Sequence, residues 1–215
     1  MTVTYTFKTI NNPYFNDGTN ANGINASGQI VAAYSYWSYS LGGYIGASFL
    51  YDGSSFTPLS DPLGQYGTWT YGINASGQVV GSYQDSATRI HGFLYSNGSY
   101  STLNDPSGVN GTYAYGINSA GKIVGSYEDS AYKSHGFLYS GGTYTTIDDP
   151  LGVNGTSASG INASNQIVGS YTDAGYKSHG FIYAGGTYTT IDDPLGIDGT
   201  ISYGINASGQ VVGGY

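Results

Sequence analysis

Residues 72–83 read GINASGQVVGSY, and this phrase decides the fold because the chain repeats it five times. Each copy opens with Gly-Ile-Asn, continues through a short polar turn and ends in an apolar segment typical of a β-strand. The first two copies begin 49 residues apart and the later ones 44 apart, and such periods are typical of solenoids, propellers and arrays. The copies begin at Gly23, Gly72, Gly116, Gly160 and Gly204.

A second phrase, an apolar residue followed by two polar residues and proline, keeps step with the first. Proline cannot donate to a β-ladder and disfavours helix before it, so this phrase is expected to end each unit. Its copies lie at residues 10–13, 59–62, 103–106, 147–150 and 191–194.

One unit contains four short β signals. Residues 115–118 and 122–127 flank a turn rich in Asn, Ser and Gly, and residues 136–139 and 143–147 flank Ser-Gly-Gly, so each pair is expected to form a hairpin. Four antiparallel strands in about 40 to 45 residues match a propeller blade. We therefore predict an all-β fold, a five-bladed β-propeller with four-stranded blades, in a single domain over residues 1–215.

The ends of the chain predict how the ring closes. Residues 2–10, TVTYTFKTI, match the last strand of a unit, whereas the fifth unit stops after two strands. An N-terminal strand that completes the last blade would leave no long exposed edge. Because no third-strand phrase follows Gly204, the fifth blade either has three strands, or is extended by Thr2–Thr6, or takes an edge strand from another chain.

Composition excludes several kinds of partner. The formal charge is −8 with only five Lys and Arg, which cannot form the basic groove that nucleic acid or an anionic membrane requires. No cysteine is present for a disulfide or thiolate metal site. Met1–Asn11 has no signal-peptide pattern, and no run of about 18 apolar residues predicts membrane insertion.

The two phrases and their spacing resemble those of the bacterial HAF-repeat proteins. The stretches that carry the resemblance are GINASGQVVGSY at 72–83 and HGFLYSGGTYTTIDDP at 135–150, and the match extends over essentially the whole chain. The resemblance implies a β-propeller-like domain of an extracellular or cell-surface protein, without established catalytic activity. The name-giving tripeptide is His-Gly-Phe in three units and Ala47-Ser48-Phe49 in the first.

Three histidines, each six residues after an aspartate, are the strongest candidates for a catalytic or metal-binding role. A histidine beside a carboxylate could bind a metal or act as a general base. However, identical copies on different blades, with no nucleophile, favour a structural hydrogen-bond network, by analogy with WD-repeat propellers. The pairs are Asp85 with His91, Asp129 with His135, and Asp173 with His179.

The acids before the prolines could hold Ca²⁺, since hard cations choose carboxylate oxygens. Asp before Pro also initiates turns by bonding its own backbone, and we favour that interpretation and predict no cofactor or metal site. A glycosidase would need two carboxylates about 5–9 Å apart. Most acids here recur at the same position in several units, and nothing in the sequence pairs Asp17 with Asp198, which do not recur. We therefore predict that the protein is not an enzyme. The turn-forming acids are Asp61, Asp105, Asp148, Asp149, Asp192 and Asp193.

Tyrosine and tryptophan are the best evidence for binding. The 24 tyrosines exceed what a core of this size needs, and exposed aromatic faces stack on sugar rings. Trp37 and its neighbours Tyr36 and Tyr39 lie in an insertion of the first unit. Trp69 and Tyr113 share a position that varies among units. We predict that these five residues bind the ligand. Tyr83, Tyr127 and Tyr171 are interpreted as wedges between blades.

These observations lead to two functional hypotheses. The first is a non-enzymatic, lectin-like module that binds a glycan or another polyhydroxylated surface, by fold-level analogy with five-bladed animal lectins. The alternative is a structural or adhesive extracellular repeat protein that associates with itself through an unfinished fifth blade.

Overall fold

The computed structural model describes residues 9–10 and 18–215, and every helix or strand assigned there is a β-strand. The predicted all-β class is confirmed. The first unit contains β1 (Asn20–Ile24), β2 (Ile30–Ser38), β3 (Gly43–Tyr51) and β4 (Phe56–Leu59), and the second β5 (Gly67–Ile73), β6 (Val79–Gln84), β7 (Ile90–Ser96) and β8 (Ser99–Leu103). The third contains β9 (Gly111–Ile117), β10 (Ile123–Glu128), β11 (Ser134–Ser140) and β12 (Thr143–Ile147). The fourth contains β13 (Thr156–Ile161), β14 (Ile167–Thr172), β15 (Ser178–Ala184) and β16 (Thr187–Ile191), and the fifth β17 (Ile201–Ile205) and β18 (Val211–Gly214).

The first four units are four-stranded antiparallel meanders in which consecutive strands pair. Gly46 of β3 pairs in parallel with Gly67 of β5 and so joins the first two sheets, and a parallel bridge between Ser178 and Gly199 links the fourth and fifth units in the same way. The fifth unit is a two-stranded sheet. No helix in the described ranges is long and apolar enough to cross a membrane.

The Asn of each Gly-Ile-Asn phrase forms the first hairpin turn. In the third unit, the Asn118 Oδ1 accepts hydrogen bonds from the backbone N–H groups of Ala120 and Lys122, both at 3.0 Å. Gly121 has a φ of +75°, which favours glycine because it lacks a Cβ. The polar turn predicted from the repeat is therefore present, and it fixes the register of β9 on β10.

Most of the core lies between successive units, although Ala32, Phe49 and Tyr51 form a cluster within the first unit. Val80 and Leu103 of the second unit pack in one cluster with Ile123 and Phe137 of the third. Val124, the neighbour of Ile123, packs into the next cluster together with the fourth unit. Consecutive apolar residues in one strand thus serve opposite faces of the sheet, because both faces are covered.

A chain of asparagine hydrogen bonds connects all five units. The Nδ2 of Asn118, which is 4% exposed, donates to the carbonyl oxygen of Asn162 in the next unit at 3.1 Å. The same bond runs from Asn25 to Asn74, from Asn74 to Asn118 and from Asn162 to Asn206. Each repeat therefore bonds to its neighbour through the residue that also forms its own turn.

The two ends of this chain are not bonded to each other within the described ranges. The Asn206 side chain bonds Gln210 and its own turn but not Asn25. Residues 2–8 of the predicted closing strand, and with them Thr2–Thr6, lie outside the described residues, as does Asp17. Ile10 packs against the cluster of Ala32 and Phe49 in the first unit, much as Leu103 packs against the third.

Candidate functional site

The insertion in the first unit lengthens the β2–β3 hairpin. Both strands have nine residues, whereas their counterparts β6 and β7 have six and seven. The extended part borders a cavity of about 540 Å³, which we call the Trp69 cavity. Its lining residues are Gly18, Asn20, Ala33, Tyr34, Ser35, Tyr44 and Trp69.

Trp69 reaches this cavity because of a glycine on the facing strand. Gly46 stands where the later units carry Ile90, Ser134 and Ser178. A Cβ built on Gly46 would overlap the indole ring of Trp69, so the ring occupies space that any other residue would fill. The glycine therefore makes a slot for the tryptophan against β3.

Trp37 lies beside the cavity. It is the cross-strand neighbour of Tyr44, and their ring centroids are 5.3 Å apart in an edge-to-face arrangement. Aromatic pairs of this geometry are favourable beyond their buried area. Trp37 is 46% exposed, so it contacts the Tyr44 ring while part of its own surface stays open to solvent.

The remaining predicted ligand residues lie elsewhere. Tyr36 is the cross-strand neighbour of Ile45, which puts it on the hairpin face opposite Trp37, and Tyr39 is 93% exposed at the hairpin turn. Tyr113 is in the third unit and stacks on Tyr115 with centroids 6.1 Å apart. Trp69 alone of the five predicted residues lines the cavity, and the binding roles of all five stay predictions.

Six of the seven lining residues were not among the predicted ligand residues, and Tyr44, Asn20 and Tyr34 contribute most of the aromatic and amide surface among them. Tyr44 was part of the inserted segment, but its place opposite Trp37 required the hairpin register. Asn20 occupies the same variable position as Trp69 in its own unit, and that shared position was the available signal. Tyr34 contributes to the wall and packs near Tyr36, at a centroid distance of 6.2 Å.

The Trp69 cavity has the chemistry of a neutral polar site. Its lining contains aromatic surface, the Asn20 amide and the Ser35 hydroxyl, and none of the lining residues that the structure describes is charged. An amide both donates and accepts hydrogen bonds, and a hydroxyl does the same. This arrangement can stack on the apolar face of a ring while bonding its hydroxyl groups.

The three histidines each lie between two hydrogen-bond partners. The Nε2 atoms of His91, His135 and His179 lie 3.1–3.3 Å from the Oδ2 atoms of the aspartates six residues earlier. Their Nδ1 atoms face Asn104 at 2.9 Å, Asp148 at 2.6 Å and Asp192 at 2.7 Å respectively. The rings stack on the buried Tyr83, Tyr127 and Tyr171.

This geometry fixes each imidazole by two hydrogen bonds and one ring contact. It resembles the structural network expected from the sequence, whose functional role stays a prediction. Nothing in the described part of the chain groups three or more His, Cys, Asp or Glu side chains in a way that could hold a metal ion.

Asp192→Asn is expected to lower the pKa of His179. The hydrogen bond to Asp192 raises that pKa above its ordinary value, with a smaller contribution from Asp173. Because the folded state binds the proton more tightly, the stabilisation is fully present below about pH 6.5 and is lost as pH rises through the folded pKa. The variant recreates the His–Asn pair of the second unit, so it should fold. Histidine NMR titration and unfolding at several pH values check both effects, and an unchanged titration midpoint would contradict the assignment.

The acids before the prolines form turns. The Oδ1 atoms of Asp61, Asp105, Asp149 and Asp193 accept the backbone N–H group two residues later at 2.8–2.9 Å. Burial raises the pKa of Asp61, whose Oδ2 has no hydrogen-bond partner among the described residues. Asp148 and Asp192, as described above, bond histidines instead.

Two solved structures resemble this arrangement of sheets. The fucose-specific lectin from Aleuria aurantia gives a TM-score of 0.50 at 16% identity, over 90% of this chain and 67% of that one. A triple arginine-to-alanine mutant of AofleA from Arthrobotrys oligospora gives 0.51 at 10% identity, over 90% of this chain and 62% of that one. The fold is of the β-propeller type.

The likeness extends to the fold alone at these identities. The chain spans 58–62% of the length of the first three solved structures it matches. No protein-family model matches it, and a search of curated proteins finds no match. The resemblance to HAF-repeat proteins therefore stays a prediction.

Proposed function

We propose that the protein is a non-enzymatic, lectin-like module that binds a neutral glycan in the Trp69 cavity. The observation that carries the proposal is the Gly46 slot, which holds a tryptophan ring at a cavity wall beside an amide and a hydroxyl. Trp69 is only partly buried, so part of its ring is open to the cavity. A rigid aromatic wall with polar groups at its edge suits a pyranose ring.

The negative charge of the protein favours a neutral glycan over an anionic one. The protein has a formal charge of −8, and the described residues that line the cavity include no lysine or arginine. A sialylated, sulfated or uronic-acid polymer would be repelled and would find no cationic partner. We therefore expect neutral sugars to bind and anionic ones to be excluded.

The fold comparison supports the proposal and suggests a first ligand to test. One structure of similar fold is described as a fucose-specific lectin. Fucose is a neutral deoxysugar, which agrees with the uncharged lining. A glycan array that includes fucosides and other neutral sugars is the direct test, and an absence of binding to any of them would overturn the proposal.

Trp69→Ala is expected to weaken glycan binding by at least about tenfold, because a central aromatic anchor commonly contributes more than about 1.4 kcal/mol. Titration calorimetry with the best array ligand measures the change. Tyr176→Ala is the matched control, since Tyr176 is 79% exposed in a loop of the fourth unit. Equal affinities of the two variants would show that Trp69 does not contact the glycan.

We propose self-association through the fifth unit as the second candidate function. The observation that favours it is exposure: Val212 and Tyr215 are 65% and 71% exposed, whereas Val168 and Tyr171 at the same positions of the fourth unit are 0% and 3% exposed. In the second to fourth units the following unit packs over the valine, as the fourth unit does over Val124, and the third-strand histidine stacks on the tyrosine, as His179 does on Tyr171. A second copy of the chain could supply the missing strand.

Closure by the N-terminal segment competes for the same edge. Ile10 already packs on the first unit, where the last residue of a preceding blade would lie. We infer that residues 2–10 complete the fifth blade of a closed five-bladed ring. From the resemblance to HAF-repeat proteins we also infer that the protein acts outside the cell or at its surface. Light scattering over a concentration series separates the two candidates, because assembly requires a mass that rises with concentration.

A further inference from the structure

A second cavity lies where the innermost strands of all five units meet. It has a volume of about 390 Å³ and is lined by residues of β1, β5, β9, β13, β14 and β17. This central cavity shares no lining residue with the Trp69 cavity. Its volume falls within the range of small-molecule sites, about 300–1,000 Å³.

The second and third units fill their share of the centre with tyrosines. The Tyr71 hydroxyl lies 3.0 Å from the Ser82 Oγ, and the Ser126 Oγ donates to the Tyr115 hydroxyl at 3.4 Å. The two rings pack on each other with centroids 5.3 Å apart. In both units, the central position is therefore filled by a phenol ring whose hydroxyl contacts a serine on the second strand of the same unit.

The fourth unit keeps the serine but lacks the phenol. Ser170 pairs with Ser157 in the sheet as Ser126 pairs with Tyr113, and Ser159 stands at the position of Tyr115. Ser157, Ser159 and Ser170 all line the central cavity. Among the described residues, none of their hydroxyl groups has a hydrogen-bond partner. Ser157 and Ser159 replace the two tyrosines that the third unit carries at these positions. The space that a tyrosine ring fills in the third unit is therefore open in the fourth, and an aromatic alcohol could occupy it.

We propose that the central cavity binds a small neutral phenol, with its hydroxyl bonded to Ser170 and its ring against Tyr115 and Tyr203. The ligand would restore in the fourth unit the contact that Tyr71 and Tyr115 make in theirs. The lining favours this class over a sugar, because Tyr71, Tyr115, Ile201 and Tyr203 offer mostly ring and aliphatic surface.

The surroundings also favour the uncharged form of the ligand. Burial raises the pKa of Tyr71 to about 12 and raises that of Tyr115, so both neighbouring phenols are held neutral. Within the described ranges, no cationic side chain lines the cavity to stabilise a phenolate. A simple phenol is neutral at pH 7, since the pKa of a phenolic hydroxyl is about 10.

The test is titration calorimetry with p-cresol on the full chain, with a matched pair of serine-to-tyrosine variants. We expect saturable binding at one site per chain. Ser159→Tyr should reduce it at least tenfold, because the new side chain fills the space that the ligand needs, and it should fold because the two preceding units carry tyrosine there. Ser119→Tyr, at an exposed turn of the third unit, should bind like the original chain.

Three results would overturn the proposal: no saturable p-cresol binding, equal binding by the Ser159→Tyr and Ser119→Tyr variants, or displacement of p-cresol by a methyl glycoside. Trp69→Ala separates this site from the proposed glycan site. It should leave p-cresol binding unchanged while weakening glycan binding. Loss of p-cresol binding in Trp69→Ala would also count against an independent central site.

Discussion

Gly46→Ala is expected to abolish glycan binding and to lower the free energy of unfolding by about 1–3 kcal/mol. The new methyl group would occupy the position of the Trp69 indole, so the ring must leave the cavity wall or β3 must move away from β5. Movement of β3 would strain the bonds between the Ser48 Oγ and the backbone of Thr68 and Thr70, at 2.8 and 3.0 Å. Urea unfolding and glycan titration measure the two effects.

A double variant, Gly46→Ser with Trp69→Ser, separates stability from binding. The third and fourth units carry serine at these two positions, Ser134 and Ser157, so the combination is one that the repeat accommodates. We expect the double variant to regain most of the lost stability without regaining glycan binding. A Gly46→Ala protein that binds glycan with the original affinity would show that the slot does not place Trp69.

Asn118→Ala is expected to cost about 2–4 kcal/mol of unfolding free energy. The substitution leaves two turn N–H groups without their acceptor and removes the donor to the Asn162 carbonyl, in a site that is 4% exposed. A buried polar group without its partner costs about 1–3 kcal/mol. Both the turn and the junction between two units lose a hydrogen-bond partner at once.

Asn206→Ala is the matched control. Asn206 forms the same turn in the fifth unit, but it is exposed and donates no bond to another unit within the described residues. We expect a loss of only about 1 kcal/mol there, because exposed groups can bond water instead. If urea unfolding gave equal losses for the two variants, the inter-unit bond would contribute nothing measurable.

The same repeat that stabilises the protein also marks its candidate sites. Positions that recur in every unit, such as the Asn of Gly-Ile-Asn, form turns and inter-unit bonds. Positions that vary along the innermost strand line the two cavities: Asn20 and Trp69 in one, Ser157 and Ile201 in the other. Variation among repeats therefore predicted where to look, although it did not distinguish one cavity from two.

Much of the fold was predictable because it depends on local interactions. Glycines and asparagines that permit or stabilise tight turns, and apolar pairs such as Ile123-Val124, directly indicate hairpins covered on both faces. The burial of Tyr83, Tyr127 and Tyr171 also agrees with their interpretation as wedges. The fifth unit was expected to be short, and its two described strands match the two phrases present in the sequence.

The composition of the sites was less predictable. Tyr44 and Trp37 become neighbours only through the register of an extended hairpin. Gly46 was one of 36 glycines, and nothing local distinguished it from those that serve turns. Its importance depends on the ring that packs against it from another unit.

The sequence by itself determined the strands, the turns, the period and the neutral, aromatic character of the candidate sites, since these depend on residues close together in the chain. Only the tertiary structure decided which aromatic residues meet. Trp69 and Tyr113 hold the same position in successive units, yet Trp69 faces Gly46 and lines a cavity, whereas Tyr113 has Ile90 in place of that glycine and stacks on Tyr115. The physical reason is packing: the space for a side chain on one sheet is set by a residue about 20 positions away on the next.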